Sequence, residues 1–104
     1  MANQMLYVIR LTNVDMQRYD ELAPAHVKWV DAHAKTPTFL YAGPLEERRA
    51  GGVIIAQAVS REALDAILVS DPFRVHGVAN HEVIPFFVTR GNYAAQLGLD
   101  AATA

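Results

Sequence analysis

The stretch MLYVIRLT at residues 5–12 decides the fold. It is rich in β-branched, aromatic and long aliphatic residues, it has the length of a strand, and Asn13 and Asp15 just after it are turn and helix-cap types. Side chains along a strand alternate between two faces, so Leu6 and Val8 stand opposite Tyr7, Ile9 and Leu11. Both faces are apolar. A sheet wetted on one side reads polar on that side, so this strand predicts a sheet that is covered on both.

Beyond Asp15, Met16, Tyr19 and Leu22 recur at three-residue spacing, and Val27, Val30 and Ala34 continue the apolar face after Pro24. Proline lacks the N–H that an interior helical position donates but suits a first turn. The spacing therefore predicts a short entry segment and then a helix starting near Pro24, with His26 in its first turn. Residues 38–42 (TFLYA) read as a second strand closed by Gly43-Pro44, residues 45–52 (LEERRAGG) as a polar hairpin loop, and residues 53–59 as a third strand. Ser60 can cap a second helix whose apolar face is Ala63, Leu64, Ile67 and Leu68 and which ends near Ser70. Asp71-Pro72 pairs a good cap with a good first helical residue, so a further short turn of helix follows. Residues 82–89 (EVIPFFVT) form the fourth strand, which Pro85 puts at an edge or at a bulge.

Strand, helix, two strands, helix, strand is the split βαβ order of an α+β, ferredoxin-like βαββαβ domain, with a four-stranded antiparallel sheet and both helices on one face. No repeat, linker or low-complexity segment divides the chain, so residues 1–104 are expected to form one domain with a tail at 92–104. The fourth strand is again apolar on both faces, with Ile84, Phe86 and Val88 opposite Val83, Pro85 and Phe87. Two helices leave one face bare. A second copy packed sheet to sheet is the simplest cover and implies a homodimer, or a higher assembly, built as a dimeric α+β barrel. The competing cover is the tail itself, with Tyr93, Leu97 and Leu99, which is long enough for only part of the face.

Composition narrows the function classes. Apolar residues make up 52% of the chain and charged residues 19%, which is globular, and no stretch reaches the roughly 20 apolar residues of a membrane helix. The start, Met1-Ala2-Asn3-Gln4-Met5, lacks the pattern of a secretory signal. The chain has no cysteine, which rules out disulfides and thiolate chemistry and agrees with a cytoplasmic location. A net charge of -2 without a basic stripe argues against nucleic acid. A soluble protein with no membrane partner is expected.

Histidine is the side chain that gives or takes a proton near neutral pH. His26, in the first turn of a helix, would feel the positive end of the macrodipole, which favours neutral imidazole and a role as base or hydrogen-bonding group. A surface histidine that packs locally is the plainer alternative. His33 shares a helical face with His26 but stands about 10 Å away, too far for one metal ion, and His76 and His81 flank a turn without ligand spacing, so no metal site is expected. Asp71 is fully explained as a helix cap, and can also orient His26 as carboxylates orient catalytic histidines. Gly43-Pro44 is either a tight turn or backbone that a ligand approaches closely. Arg10, out of place in an apolar strand, is either an edge residue in an ion pair or an anion anchor inside the barrel. Phe73, Trp29 and Phe86 are core residues or ligand platforms. No nucleophile elbow, phosphate-binding glycine loop or dinucleotide fingerprint occurs.

Four motifs in order, Pro24-Ala25-His26, Tyr41-Ala42-Gly43-Pro44-Leu45, Asp71-Pro72-Phe73 and Val83-Ile84-Pro85-Phe86, resemble the YCII-related family over nearly the whole chain. The resemblance implies a dimeric α+β barrel with a small-molecule pocket in each subunit and His26 and Asp71 as its acid–base pair. On the functional reading of those residues, Gly43, Pro44, Phe73 and Arg10 are the expected substrate contacts. The family often has Arg before Pro24, where this chain has Ala23, and Arg10 is the substitute the sequence offers. The family includes chlorohydroxyhydroquinone dehydrochlorinases, so the resemblance implies a cofactor-free lyase or isomerase acting on an aromatic compound. A non-catalytic binding or accessory module of the same fold is the alternative.

Overall fold

A computed structural model of the chain describes residues 5–91, and the readings made on residues 1–4 and 92–104 lie outside them. β1 (Met5–Asn13) leads through α1 (Tyr19–Ala34) to β2 (Phe39–Pro44), a 3-10 turn (Arg48–Ala50) and β3 (Gly51–Ala56). Then come α2 (Arg61–Leu68), the short α3 (Pro72–Val75) and β4 (Ala79–Phe87). The strands lie in the order β2-β3-β1-β4 and every neighbouring pair is antiparallel. This is the α+β, ferredoxin-like fold. β4 is an edge strand, which lets Pro85 sit opposite Tyr7 with its missing donor on the unpaired side.

α1 starts at Tyr19 and carries Pro24 inside it, so the expected start near Pro24 is corrected. An interior proline forfeits one backbone bond and costs about 3 kcal/mol. Packing offsets that cost, because Tyr19, Leu22 and Ala23 on the extra turn lie against the buried cluster Phe73, Val78 and Ala79. Asp20 and Glu21 in the first turn suit the helix dipole. His26 consequently lies about two turns inside α1, beyond the reach of the N-terminal dipole.

The strand bounds also move. Gly43-Pro44 does not close β2 but continues it, paired with Val53 and Gly52 of β3. Gly52 allows this close hairpin, since a Cβ there would lie 2.8 Å from the Gly43 carbonyl oxygen, and Gly51, at φ 152°, allows the close approach to β1, where a Cβ would lie 1.9 Å from the Leu11 carbonyl oxygen. β3 thus begins at Gly51 rather than 53, and it ends at Ala56 rather than 59, opposite Tyr7 of β1 and Phe39, the first residue of β2. β4 spans Ala79–Phe87 rather than 82–89, because β1 runs on to Asn13 and pairs Leu11, Thr12 and Asn13 with His81, Asn80 and Ala79.

One face of the sheet holds the core. Tyr7, Ile9, Leu11, Ile54 and Ala56 pack against Trp29, Phe39, Leu64 and Leu68, so both long helices cover the same side. The opposite face carries Leu6, buried against Leu40, Ile55 and Val88, while Tyr41, Ile84 and Phe86 stay 70%, 44% and 39% exposed. Register joins Ile84, Val8, Ile55 and Tyr41 in one row across all four strands. Among the described residues no helix is long and apolar enough to cross a membrane.

Candidate active site

The site grows from the start of α3. Ser70-Asp71-Pro72 is a good cap followed by a proline at the first helical position, and Asp71 Oδ1 accepts the Phe73 N–H at 3.0 Å. Capping draws the carboxylate inward until it is fully buried beneath α1 and β4. A buried carboxylate needs hydrogen-bond donors on both oxygens. Oδ1 takes Nδ1 of His26 at 2.7 Å, and Oδ2 takes Nε2 of His81 at 2.8 Å. One buried charge is shared by two imidazoles.

Burial alone pushes the Asp71 carboxyl up, but the hydrogen bonds from His26 and His81, the positive charge His26 carries whenever it is protonated and the Phe73 N–H together outweigh it. The group is held below its ordinary value of 3.8 and is ionised at neutral pH. A carboxylate only accepts, so each histidine presents an N–H to it: Nδ1–H from His26 and Nε2–H from His81. This leaves Nε2 of His26 as the ring nitrogen not engaged by Asp71. The imidazole is stacked on Phe73, with centroids 4.2 Å apart and planes 6° apart.

His26 borders a cavity of about 190 Å³ between α1 and the β2–β3 hairpin. Its wall includes Leu11, Tyr19, Val27, Ile54 and Phe73, with Arg48 and Asp31 as the charged members. Of the residues expected there, His26, Gly43, Pro44 and Phe73 line the cavity, and Asp71 stands behind His26 without reaching it. Arg10 is elsewhere. The strand's alternation turns it to the open face, exposed, away from Ile9 and Leu11 and opposite Glu82 in register, so it is no anchor for a ligand in this cavity.

The sequence reading weighs His81 only as a metal ligand. The available signal was alternation: in β4 it shares the helix-facing side with Val83, where a histidine needs a polar partner. It lies one residue before the expected start of β4 at 82, and only its pairing with Leu11 brings it into the strand. Trp29 adds a further tie, donating its indole N–H to Ser70 Oγ at 2.9 Å beside the Asp71 turn. Among the described residues, no group of three or more His, Cys, Asp and Glu side chains is arranged to hold a metal ion.

A ferredoxin-like α+β domain with a histidine–carboxylate pair at the wall of a ring-sized cavity is the class that fold and site define. The model of the YCII-related domain matches residues 5–87, and the chain belongs to that family. No curated protein matches the sequence. Among solved structures, the chain is similar to 5-chloro-2-hydroxyhydroquinone dehydrochlorinase (TftG) from Burkholderia phenoliruptrix AC1100 in complex with 2,5-dihydroxybenzoquinone. The TM-score is 0.67 at 17% identity, covering 85% of this chain and 97% of that one. At that identity the likeness concerns the fold.

Proposed function

We propose that the protein is a cofactor-free lyase or isomerase that uses His26 as general base and Asp71 as its orienting partner on a small hydroxylated aromatic compound. The observation that carries this is the 2.7 Å bond from His26 Nδ1 to a buried, ionised carboxylate, which supports a neutral tautomer with its lone pair on Nε2 in a side chain that lines the cavity. An engineered cavity of about 150 Å³ takes up benzene, so about 190 Å³ suits one substituted ring.

With a chlorinated hydroxyhydroquinone, the substrate that the resemblance to the dehydrochlorinase suggests, His26 Nε2 takes a phenolic proton. The phenolate collapses to a carbonyl as the chlorine-bearing ring carbon gains a proton. A second enolic hydroxyl then loses its proton, its electrons pass through the ring double bond, and chloride leaves with the C–Cl pair. The products are a hydroxybenzoquinone and HCl, and no external oxidant enters the balance. Asp71 stabilises the imidazolium while it exists.

The bare sheet face is part of the same reading. A second copy packed on the row Ile84, Val8, Ile55 and Tyr41 completes an α+β barrel as a homodimer.

Chloride release from chlorinated hydroxyhydroquinones tests the activity. His26→Gln should reduce turnover at least about 100-fold, the lower range of a lost general base. Native turnover in that variant, or a ligand that raises the melting temperature and is never consumed, would make the cavity a binding site instead.

A further inference from the structure

We infer that His81 is a positioning residue: by holding Oδ2 of Asp71 it stops the carboxylate from rotating, and so fixes the proton of His26 on Nδ1 and the lone pair on Nε2.

The cap of α3 secures only one oxygen. Oδ1 serves both the Phe73 N–H and His26 Nδ1, and the torsion that turns a carboxylate about its Cβ–Cγ bond is broad and soft. With Oδ2 unheld, the plane could swing and carry Oδ1 away from the imidazole while still capping. His81 closes that freedom at 2.8 Å, from a side chain 2% exposed on a strand paired along its length with β1. Clamp and capped turn come from separate elements, so the carboxylate is braced from both sides.

The other nitrogen of His81 assigns it a single role. Nδ1 is buried with no hydrogen-bond partner among the described residues. A proton there would be a buried N–H without an acceptor. His81 therefore acts as a one-proton donor to Oδ2, and His26, which alone of the two borders the cavity, exchanges protons with a ligand.

Long-range 1H–15N spectra of the imidazoles test this without any substrate. The unmodified protein should show His26 protonated at Nδ1 and His81 protonated at Nε2. His81→Phe keeps the ring and removes the donor, and a second His26 tautomer bearing Nε2–H should appear. His81→Gln restores an N–H toward Oδ2 and should return the single tautomer. An unchanged His26 signal in His81→Phe overturns the inference. Should that variant fail to fold, His81 protonated at Nδ1 in the unmodified protein overturns it equally. The catalytic consequence rests on the acid–base reading: kcat for chloride release should fall about 10- to 100-fold in His81→Phe with KM unchanged, the scale set by misplacing a reacting group by about 1 Å. Full activity in His26→Gln would end the acid–base reading and leave the tautomer result standing. An unaltered tautomer would end the positioning inference alone.

Discussion

The imidazole of His26 lies parallel to the ring of Phe73, 4.2 Å from it, while its Nδ1 points at Asp71. Phe73 is two residues past Asp71 in the turn that the carboxylate caps. The backbone that places the acid therefore also places the surface on which the base rests. Three constraints on one imidazole, a stack, a hydrogen bond and a helix, leave Nε2 little choice of direction.

Phe73→Leu separates the stack from the fold. The smaller side chain keeps the buried site apolar but gives up the ring contacts with His26 and Tyr19, so it should cost on the order of 1–2 kcal/mol in urea unfolding. Turnover should drop more than stability suggests, because the imidazole loses its brace. An unaltered kcat in a folded variant would show the stack to be structural only.

Acid should weaken the native protein through Asp71. Its carboxyl in the folded chain lies below the ordinary 3.8, so its contribution to stability is complete above 3.8 and is lost as pH falls through the lower folded value. Urea midpoints taken from neutral pH to below 3.8 should fall steeply in the native protein and less steeply in Asp71→Asn, which has no carboxyl to protonate. Parallel acid limbs would place the acid sensitivity elsewhere.

Ser70→Ala tests the tie between α1 and the Asp71 turn. It strands the Trp29 indole N–H and removes the hydroxyl that also donates to the Ile67 carbonyl, with an expected cost of about 1 kcal/mol. Trp29 is the chain's one tryptophan, so its fluorescence reports the change directly. No shift in emission or midpoint would mean that water replaces the hydroxyl without loss.

Local chemistry made most of the fold legible. Period-two apolar runs at β1 and β4, the Ser60 cap and the Asp71-Pro72 start all describe short-range preferences that the structure keeps. What failed depends on distant partners. Pro24 breaks an isolated helix, but Tyr19, Leu22 and Ala23 find Phe73, Val78 and Ala79 across the fold. The hairpin glycines read as loop, although Gly52 lets β3 approach β2, and Gly51 lets it approach β1, where a Cβ would collide. Within the site, His26 and Asp71 stood out by residue type and motif, while His81 needed the β1–β4 register. Alternation in β1 puts Arg10 on the open face, opposite Glu82 in register.

The open face carries the last prediction. Phe86 pairs with Leu6 and Ile84 with Val8, so the two exposed side chains stand on the open face of the edge strand β4, beside the apolar residues of β1. In a single chain they are 39% and 44% exposed, and a charge at either position meets water, so Phe86→Glu or Ile84→Glu should change monomer stability by less than about 1 kcal/mol. Between two packed sheets the same carboxylate would be buried without a partner, a cost of several kcal/mol per ion. Sedimentation should therefore show two chains for the native protein and one for each variant, with the far-UV spectrum unchanged. A native protein that sediments as one chain at micromolar concentration would leave the face to another cover, and a variant that stays two-chain would move the interface off β4.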